Sequence, residues 1–405
     1  MAVHVIDEAN RCLNCKKPMC QEGCPIHTAI PQMIQAFKNG ELNKAGELVF
    51  ENNPMSVICS LVCNHEKQCE GHCVLGKKGQ PVHISSIENY ISNTCLDKIE
   101  ILCEPKNGKK VAVIGAGPAG ITIAIMLTKK GYGVTIFDAK DKIGGVLQYG
   151  IPEFRLPKTI LDRYKKKLLE IGIKIRPNTA IGTALEIKDL LRDGYESIFI
   201  GTGVWKPKTL GIKGESLGNV HFAIDYLANP DAYDLGEKIA IIGMGNSAMD
   251  VARTALRKGA REVTLYARGT TGNASEHETS YAKLDGAKME YCRHIVEITD
   301  IGPVFQAICY DEEGKKTGVA EEKEQVYADS TIISVSQGPK SKLVNTTEGL
   351  RASESGLLMT NQYGETTHPG IFAAGDVVLG AKTVVEATAY SKIVAEAMDA
   401  YMKGK

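Results

Sequence analysis

The chain lacks a surplus of either charge: of its 405 residues, 48 are Lys or Arg and 48 are Asp or Glu. Nothing in that balance argues for nucleic acid or a strongly acidic surface as partner. It also lacks an apolar run of the roughly 18 residues that a membrane helix needs. The opening Met1-Ala-Val-His-Val-Ile-Asp7 lacks the basic-then-apolar layout of a signal peptide. A cytoplasmic protein without membrane insertion is the expectation. No C-x-x-C occurs after residue 108, and no convincing nucleophile–base pair is found. Residues 1–107 show no strand-like alternation of any length. At this length two or three domains with sizeable cores are expected.

Cysteine is present, and unevenly spread. Ten of the 12 cysteines lie before residue 104, and eight of those form two tight groups. The first is Cys12-x2-Cys15-x4-Cys20-x3-Cys24-Pro25 and the second Cys59-x3-Cys63-x5-Cys69-x3-Cys73. In a cytoplasmic chain this favours metal or cluster ligation over structural disulfides. Thiolates at such spacings can wrap an iron–sulfur cluster, and a Cys-Pro step is suggestive because that cysteine can serve a neighbouring cluster. Two zinc sites are the alternative, but zinc runs usually pair C-x2-C with C-x2-C or with His. Cys95, Cys103, Cys292 and Cys309 have no partner spacing and are expected to be buried hydrophobes. His27, His65 and His72 stand among the cysteines as surface or neighbouring groups rather than ligands. Around the cysteines, 30–37 and 42–50 have helical spacing, so this part reads as a mostly helical cap.

From about residue 108 the pattern becomes α/β. Lys110-Val-Ala-Val-Ile-Gly115-Ala-Gly117-Pro-Ala-Gly120 is a strand running into a glycine-rich turn, and 118–130 is helix-length and stops at Gly131. Gly115 suits the tight turn, Gly117 admits a pyrophosphate, and Gly120 lets helix pack on strand. A strand at 134–137 ends at Asp138, placed to accept hydrogen bonds from a ribose. An ordinary βαβ turn is the alternative reading. Gly144-Gly145 and the stretch to Pro157 suit a backbone passing close to a flat ring or phosphate, with Arg155 as a bidentate phosphate partner; a plain loop is equally compatible. A helix at 158–171 and a strand at 197–200 follow.

A second strand–turn–helix begins at Ile239, with Gly243, Gly245, Asn246, Ser247 and Ala248 in the turn positions. Its next strand, 262–266, ends in Ala267-Arg268 instead of an acid. An Arg there accommodates a 2′-phosphate, so NADPH is favoured over NADH; a solvated surface cation is the alternative. Glu290 to Ala328 reads as further strands. Near the C-terminus, Gly370-Ile-Phe-Ala-Ala-Gly375-Asp376 delivers Asp376 to a helix start, where it could bind a ribityl hydroxyl or merely cap the helix. A last helix is expected over 383–401.

Two dinucleotide sites plus a terminal Gly-Asp strand imply a nested α/β fold, two Rossmann-like domains with the NAD(P) domain inserted in the FAD domain, behind an α-helical iron–sulfur domain. The expected boundaries are 1–107, 108–236, 237–337 and 338–405. The motifs Arg11-Cys-Leu-x-Cys…Gly23-Cys-Pro25, Cys69-Glu-Gly-x-Cys-Val-Leu-Gly76, Gly150-Ile-Pro-Glu-Phe-Arg-Leu-Pro157, Thr202-Gly-x-Trp-Lys-Pro207, Gly243-x-Gly-Asn-x-Ala-Met-Asp250 and Phe372-Ala-x-Gly-Asp376…Lys382-Thr-Val-Val385 carry a resemblance across nearly the whole chain. It resembles the glutamate synthase small-subunit family. That module is shared with the N-terminal half of dihydropyrimidine dehydrogenase, its bacterial NAD-dependent subunit and the large subunit of ferredoxin:NADP transhydrogenase.

The resemblance implies two [4Fe-4S] clusters, one held by Cys12, Cys15, Cys20 and Cys73, the other by Cys24, Cys63, Cys69 and Glu88, with Cys59 not a ligand. Glu88 is reached through Ile84-Ser-Ser-Ile-Glu88, which matches the Ile-x-x-Leu-(Gln/Glu) segment of relatives. It implies FAD contacts from Gly115, Gly117, Pro118, Ala119, Gly120, Asp138, Gly145, Leu147, Arg155, Gly203, Gly375, Asp376, Thr383 and Val384. It implies NADPH or NADH at Gly243, Gly245, Asn246, Ser247 and Arg268. Asn64 stands where relatives have Cys-Pro, and Gly269 follows Arg268 where NADPH users often carry a second basic residue. Hydride transfer from nicotinamide to flavin needs closeness and orientation more than an acid or base, so no catalytic side chain is expected. Electrons would then pass through the clusters to a partner: a glutamate synthase large subunit, a pyrimidine-reducing subunit, a bifurcating flavoprotein or ferredoxin. A stand-alone NAD(P)H:acceptor oxidoreductase is the rival reading.

Overall fold

Val111-Ala-Val-Ile114 is continuously apolar and β-prone, the signature of a parallel strand covered on both faces. In the computed structural model, which describes residues 4–311 and 315–404, it is the buried centre of a five-stranded parallel sheet. The strand order is Ile371–Ala373, Tyr195–Ile200, Lys110–Ile114, Gly133–Phe137 and Lys174–Arg176. The chain leaves Lys110–Ile114 through the helix Pro118–Lys129 to pair on one side, and later returns to pair on the other. The strand order therefore reverses at this strand, and a crevice opens beyond its C-terminal end. The 20-residue helix Val384–Lys403 packs against Pro118–Lys129. On the sheet, Ile187, Leu190, Leu343, Leu350 and Leu358 pack into the same core as Ala112, Ile198 and Ile371.

The first hundred residues are helical, as their spacing predicts, with Ile30–Lys38, Leu42–Asn52, Ser56–Val62 and Ile84–Cys95 the main helices. They pack around Met33, Ile34, Val49, Ile87 and Ile91, all fully buried. This cap is joined to the first sheet's layer by buried polar contacts. The Tyr164 hydroxyl donates to the Pro54 carbonyl at 2.7 Å, and the Lys392 ammonium donates to the Asn52 carbonyl at 2.7 Å. Cap, first sheet and C-terminal helix form one compact unit, residues 1–147, 153–204 and 338–405.

The second unit comprises residues 148–152 and 205–337. Its parallel sheet runs Val220–Phe222, Ser330–Ile333, Lys238–Ile242, Glu262–Tyr266, Lys288–Glu290. A three-stranded antiparallel sheet, Arg293–Thr299, Gly302–Tyr310 and Lys316–Gln325, accounts for the strands expected from Glu290 onward. The structural division thus falls at residue 205, earlier than a boundary drawn at 237. The edge strand Val220–Phe222 pairs with Ser330–Ile333 and belongs to the second sheet.

Three cysteines depart from the expectation of burial. Cys95 is buried, its Cβ position hard against Gly46. Cys103, in the segment before Lys110–Ile114, and Cys309, on the strand Gly302–Tyr310, are exposed, and Cys292 is half-buried.

Candidate functional site

The first glycine turn is built by close backbone approach. Gly115 has φ +103°, and a Cβ there would lie 2.5 Å from the Gly201 carbonyl oxygen. At Gly120 a Cβ would lie 1.9 Å from the Gly115 oxygen, so this residue must be glycine for the helix to start against its own turn. Gly117 differs: a Cβ there meets nothing within 4 Å. The space above it is open, and it adjoins the N-terminus of the helix Pro118–Lys129, whose cap supplies no side-chain hydrogen bond. Unpaired first-turn N–H groups and the helix dipole together make an anion site. Gly144 N–H donates to the Ala116 carbonyl at 2.7 Å, and Gly145, at φ +55°, comes within 3.0 Å of Gly117 when given a Cβ. The double glycine therefore walls the same space. Leu147 is fully buried, and its carbonyl accepts from Lys158 Nζ. Arg155 is half-buried and Gly203 has φ +68° in the same unit.

The two acids of this site have different surroundings. Asp138 is buried, and its oxygens accept from Ala116 N–H at 2.6 Å and Lys140 N–H at 2.8 Å. It ties the glycine turn to the end of Gly133–Phe137, and each oxygen keeps a lone pair for a further donor. Asp376 follows Gly375, which has φ +76° and leans on Ala119. Its carboxylate does not cap its own short helix but accepts from Lys382 N–H at 3.1 Å. Burial pushes Asp376 up to about 6. A raised folded-state pKa means this group stabilises the fold fully below the ordinary carboxylate range, and that contribution is lost as pH rises through about 6. Asp376→Asn should therefore stabilise the flavin-free protein at pH 8. The advantage should shrink by about 1–2 kcal/mol towards pH 5, as read by thermal unfolding at the two pH values. An advantage that does not vary with pH would show that the carboxyl is not desolvated.

Thr383 caps the helix Val384–Lys403 in a full capping box with Glu386, a device its Thr-x-x-Glu spacing makes legible. Its hydroxyl is thus engaged in holding the helix start.

Two residues further, Val385 lines a hollow in the cap. The other walls are Cys24, Thr28, Asn53, Cys59, Cys63, His65, Gln68, Cys69 and Glu88. A second hollow is lined by Cys12, Cys15, Cys20 and Cys73 together with Leu13, Met19, Ile34 and Leu75. Cys73 thus lines one hollow with Cys12, Cys15 and Cys20, and Cys24 lines the other with Cys59, Cys63, Cys69 and Glu88. Glycine makes this close weave of loops possible: a Cβ at Gly71 would meet the Glu66 oxygen at 2.0 Å.

The electrostatics point the same way. Burial pushes the Cys20 thiol up to about 11 and Cys69 well above its ordinary range. Cys63 is raised first by its hydrogen bond with Cys59 and then by burial. Glu88 is pushed up to about 8 by burial, reinforced by Glu70, while Glu70 is held by Ser85 N–H and Oγ at 2.8 and 2.7 Å. A buried carboxyl and buried thiols without a compensating cation are what a cationic metal core would stabilise as anions. Sequence reading missed Thr28, whose hydroxyl lies 3.5 Å from Cys24 Sγ. Its only signal was the four-residue spacing from Cys24.

In the second unit the turn geometry recurs. Gly243 has φ +132° and its Cβ would lie 2.2 Å from the Ser334 oxygen, while Gly245 faces open space. The helix Asn246–Arg257 again starts without a side-chain cap. The Asn246 side-chain Oδ1 accepts from Ser275 N–H at 2.9 Å and so ties down the loop after Arg268; Ser247 is exposed at the helix start. Arg268 is exposed at the end of Glu262–Tyr266, with its carbonyl held by the Tyr310 hydroxyl.

A family described as dihydropyrimidine dehydrogenase domain II, 4Fe-4S cluster, matches residues 2–99. One described as pyridine nucleotide-disulphide oxidoreductase matches residues 74–192 and 109–392. The glutamate synthase [NADPH] small chain of Halomonas elongata is 33% identical over 411 residues, covering 94% of this chain and 87% of that protein. The chain belongs to the glutamate synthase small-chain family. Within it, the NAD-dependent dihydropyrimidine dehydrogenase subunit PreT of Salmonella typhimurium is 31% identical over 406 residues, covering 98% of this chain and 94% of that one. The fold alone is shared with FprA from Mycobacterium tuberculosis, at a TM-score of 0.62 and 16% identity over 74% of this chain and 85% of that chain. As a member of this family the protein is an NAD(P)H-dependent oxidoreductase with FAD and iron–sulfur groups, and the zinc alternative falls away. No helix among the described residues is long and apolar enough to cross a membrane.

Proposed function

We propose that this chain is an electron-transfer subunit: NAD(P)H reduces its FAD, and two [4Fe-4S] clusters in the cap relay electrons to a partner protein. The supporting observation is the grouping of eight cysteines and Glu88 about two hollows, with Val385 of the helix capped by Thr383 lining one of them. In this reading Cys12, Cys15, Cys20 and Cys73 hold one cluster, and Cys24, Cys63, Cys69 and Glu88 the other. Cys59 shares a hydrogen bond with Cys63 and is not a ligand in this reading. The glycine turn at Gly115–Gly120, with Pro118 and Ala119, receives the FAD pyrophosphate. Asp138, Gly145, Leu147, Arg155, Gly203, Gly375, Asp376, Thr383 and Val384 complete the flavin site. Flavin chemistry splits a hydride pair into single electrons. The protein's part is to bind, orient and exclude water.

The partner class follows from the relatives. Glutamate synthase small chains and PreT are named as subunits, and a catalytic partner subunit is proposed here too. Anaerobic purification from the native host should bring down a second polypeptide in fixed ratio, and the isolated chain should reduce dyes but no metabolite. A chain that emerges alone, loaded with flavin and iron and turning over briskly with a small-molecule acceptor and no partner protein, would make it a stand-alone oxidoreductase instead.

Arg268, together with the Gly243, Gly245, Asn246 and Ser247 turn, is assigned to the nicotinamide nucleotide. If its guanidinium meets a 2′-phosphate, Arg268→Ala should weaken NADPH by about 1–3 kcal/mol, in line with a charged hydrogen bond, and leave NADH unchanged. Equal effects on both nucleotides in a fluorescence titration would reduce Arg268 to surface charge.

A further inference from the structure

The two hollows of the cap differ in what surrounds them. Every residue lining the Cys24/Cys63/Cys69/Glu88 hollow is buried or half-buried. The Cys12/Cys15/Cys20/Cys73 hollow, by contrast, has two large apolar side chains on its wall that reach solvent, Leu13 at 63% exposure and Met19 at 46%. The loop after Cys15 carries Lys16 and Lys17, and the short helix Val74–Lys77 after Cys73 leads into Lys78. All four lysines are exposed. Lys129, Lys130 and Lys258 are held by carboxylates, whereas none of these four is in an ion pair among the described residues. Lys38 adds a fifth cation near Cys12. From Cys12 to Cys24 the only acid is Glu22, and from Cys73 to Pro81 there is none. In a chain with formal net charge +0, this is a local surplus of positive charge around one cysteine hollow.

Resting on the electron-relay reading above, we infer that the mouth of the Cys12/Cys15/Cys20/Cys73 hollow docks a small acidic electron-carrier protein, with Lys16, Lys17, Lys77 and Lys78 as a collar around the apolar contact of Leu13 and Met19. Electron transfer falls steeply with distance, so a carrier must meet the cluster nearest the surface. A collar of like charge steers an oppositely charged protein to that spot and speeds association. A small apolar centre then gives brief, aligned contact of the size that transient redox encounters use. Each NAD(P)H oxidised to NAD(P)+ releases two electrons and one proton, and two carrier molecules that accept one electron each balance it.

The test uses the full, cofactor-loaded chain and an acidic bacterial ferredoxin as probe, with the dissociation constant measured at several ionic strengths. Wild type should bind at low salt and weaken as salt screens the charges. The variant Lys16→Glu/Lys17→Glu/Lys77→Glu/Lys78→Glu should lose roughly tenfold or more in affinity and most of the salt dependence. Lys165→Glu/Lys166→Glu, an exposed pair on the helix Lys158–Glu170, should change neither. Leu13→Gln/Met19→Gln should weaken binding and keep the salt slope. Absence of ferredoxin binding by wild type, binding indifferent to salt, or equal effects of the collar and control variants would overturn the inference. If the four-glutamate variant loses iron, the corresponding four-glutamine variant and the wild-type salt series decide instead. Iron content and NAD(P)H-driven dye reduction are recorded in parallel. Intact values without ferredoxin binding refute only this docking face, whereas a wild-type chain lacking cluster iron refutes the relay reading itself.

Discussion

Gly120→Val should give a protein that no longer retains FAD. A Cβ at this position would sit 1.9 Å from the Gly115 carbonyl oxygen and 3.2 Å from Val113 Cγ1. The first of these is backbone and cannot rotate away, so the helix Pro118–Lys129 must lift from its turn. Forcing atoms into a packed core costs about 1–3 kcal/mol and sometimes more, and here the displaced element is the one whose N-terminus is proposed to receive the phosphates. The flavin-to-protein absorbance ratio reads the loss, while nucleotide binding to the second unit serves as the control for general unfolding. Gly117→Ala separates the two roles of glycine. Its Cβ meets nothing within 4 Å, so the flavin-free fold should keep its melting temperature while flavin affinity falls. A Gly117→Ala protein with normal flavin content would place the pyrophosphate elsewhere.

Glu88→Ala should remove one cluster and spare the other. Glu88 is 8% exposed among Cys24, Cys63 and Cys69, and no fourth thiol of that hollow is assigned as a ligand. Iron per chain should fall from about eight towards four, and one of two signals should vanish from the paramagnetic spectrum of the reduced protein. Glu88→Gln, which keeps an oxygen donor in the same place, should retain the cluster with a shifted potential. Two unchanged signals in Glu88→Ala would sink the ligand assignment and direct attention to Cys59, which lines the same hollow.

Much of the architecture was legible from residue order because its causes are local. A run of β-prone residues, a glycine turn and a helix-length segment recur at Lys110 and Lys238, and both folded as strand, turn and helix. The spacing of Cys12, Cys15, Cys20 and Cys24 marks a cap that binds an inorganic group, since short loops hold the thiols near one another whatever lies beyond. The helix breaks at Gly40 and Pro54 likewise follow from backbone chemistry.

The tertiary structure decided what depends on distant segments meeting. Spacing alone could not take Cys24 away from its three neighbours and place it with Cys63, Cys69 and Glu88, or bring Cys73 to Cys12; packing of Ile84–Cys95 and Ser56–Val62 does so. The strand Val220–Phe222 is too short to show a period, and it belongs to the second sheet only because Ser330–Ile333 offers it an open edge. Cysteine's average tendency to be buried did not hold for Cys103 or Cys309, since burial is set by what else packs nearby. The proposed lysine collar depends on the same kind of packing. Lys16-Lys17 and Lys77-Lys78 lie some sixty residues apart in the chain, and their neighbours Cys15 and Cys73 meet only at the shared hollow.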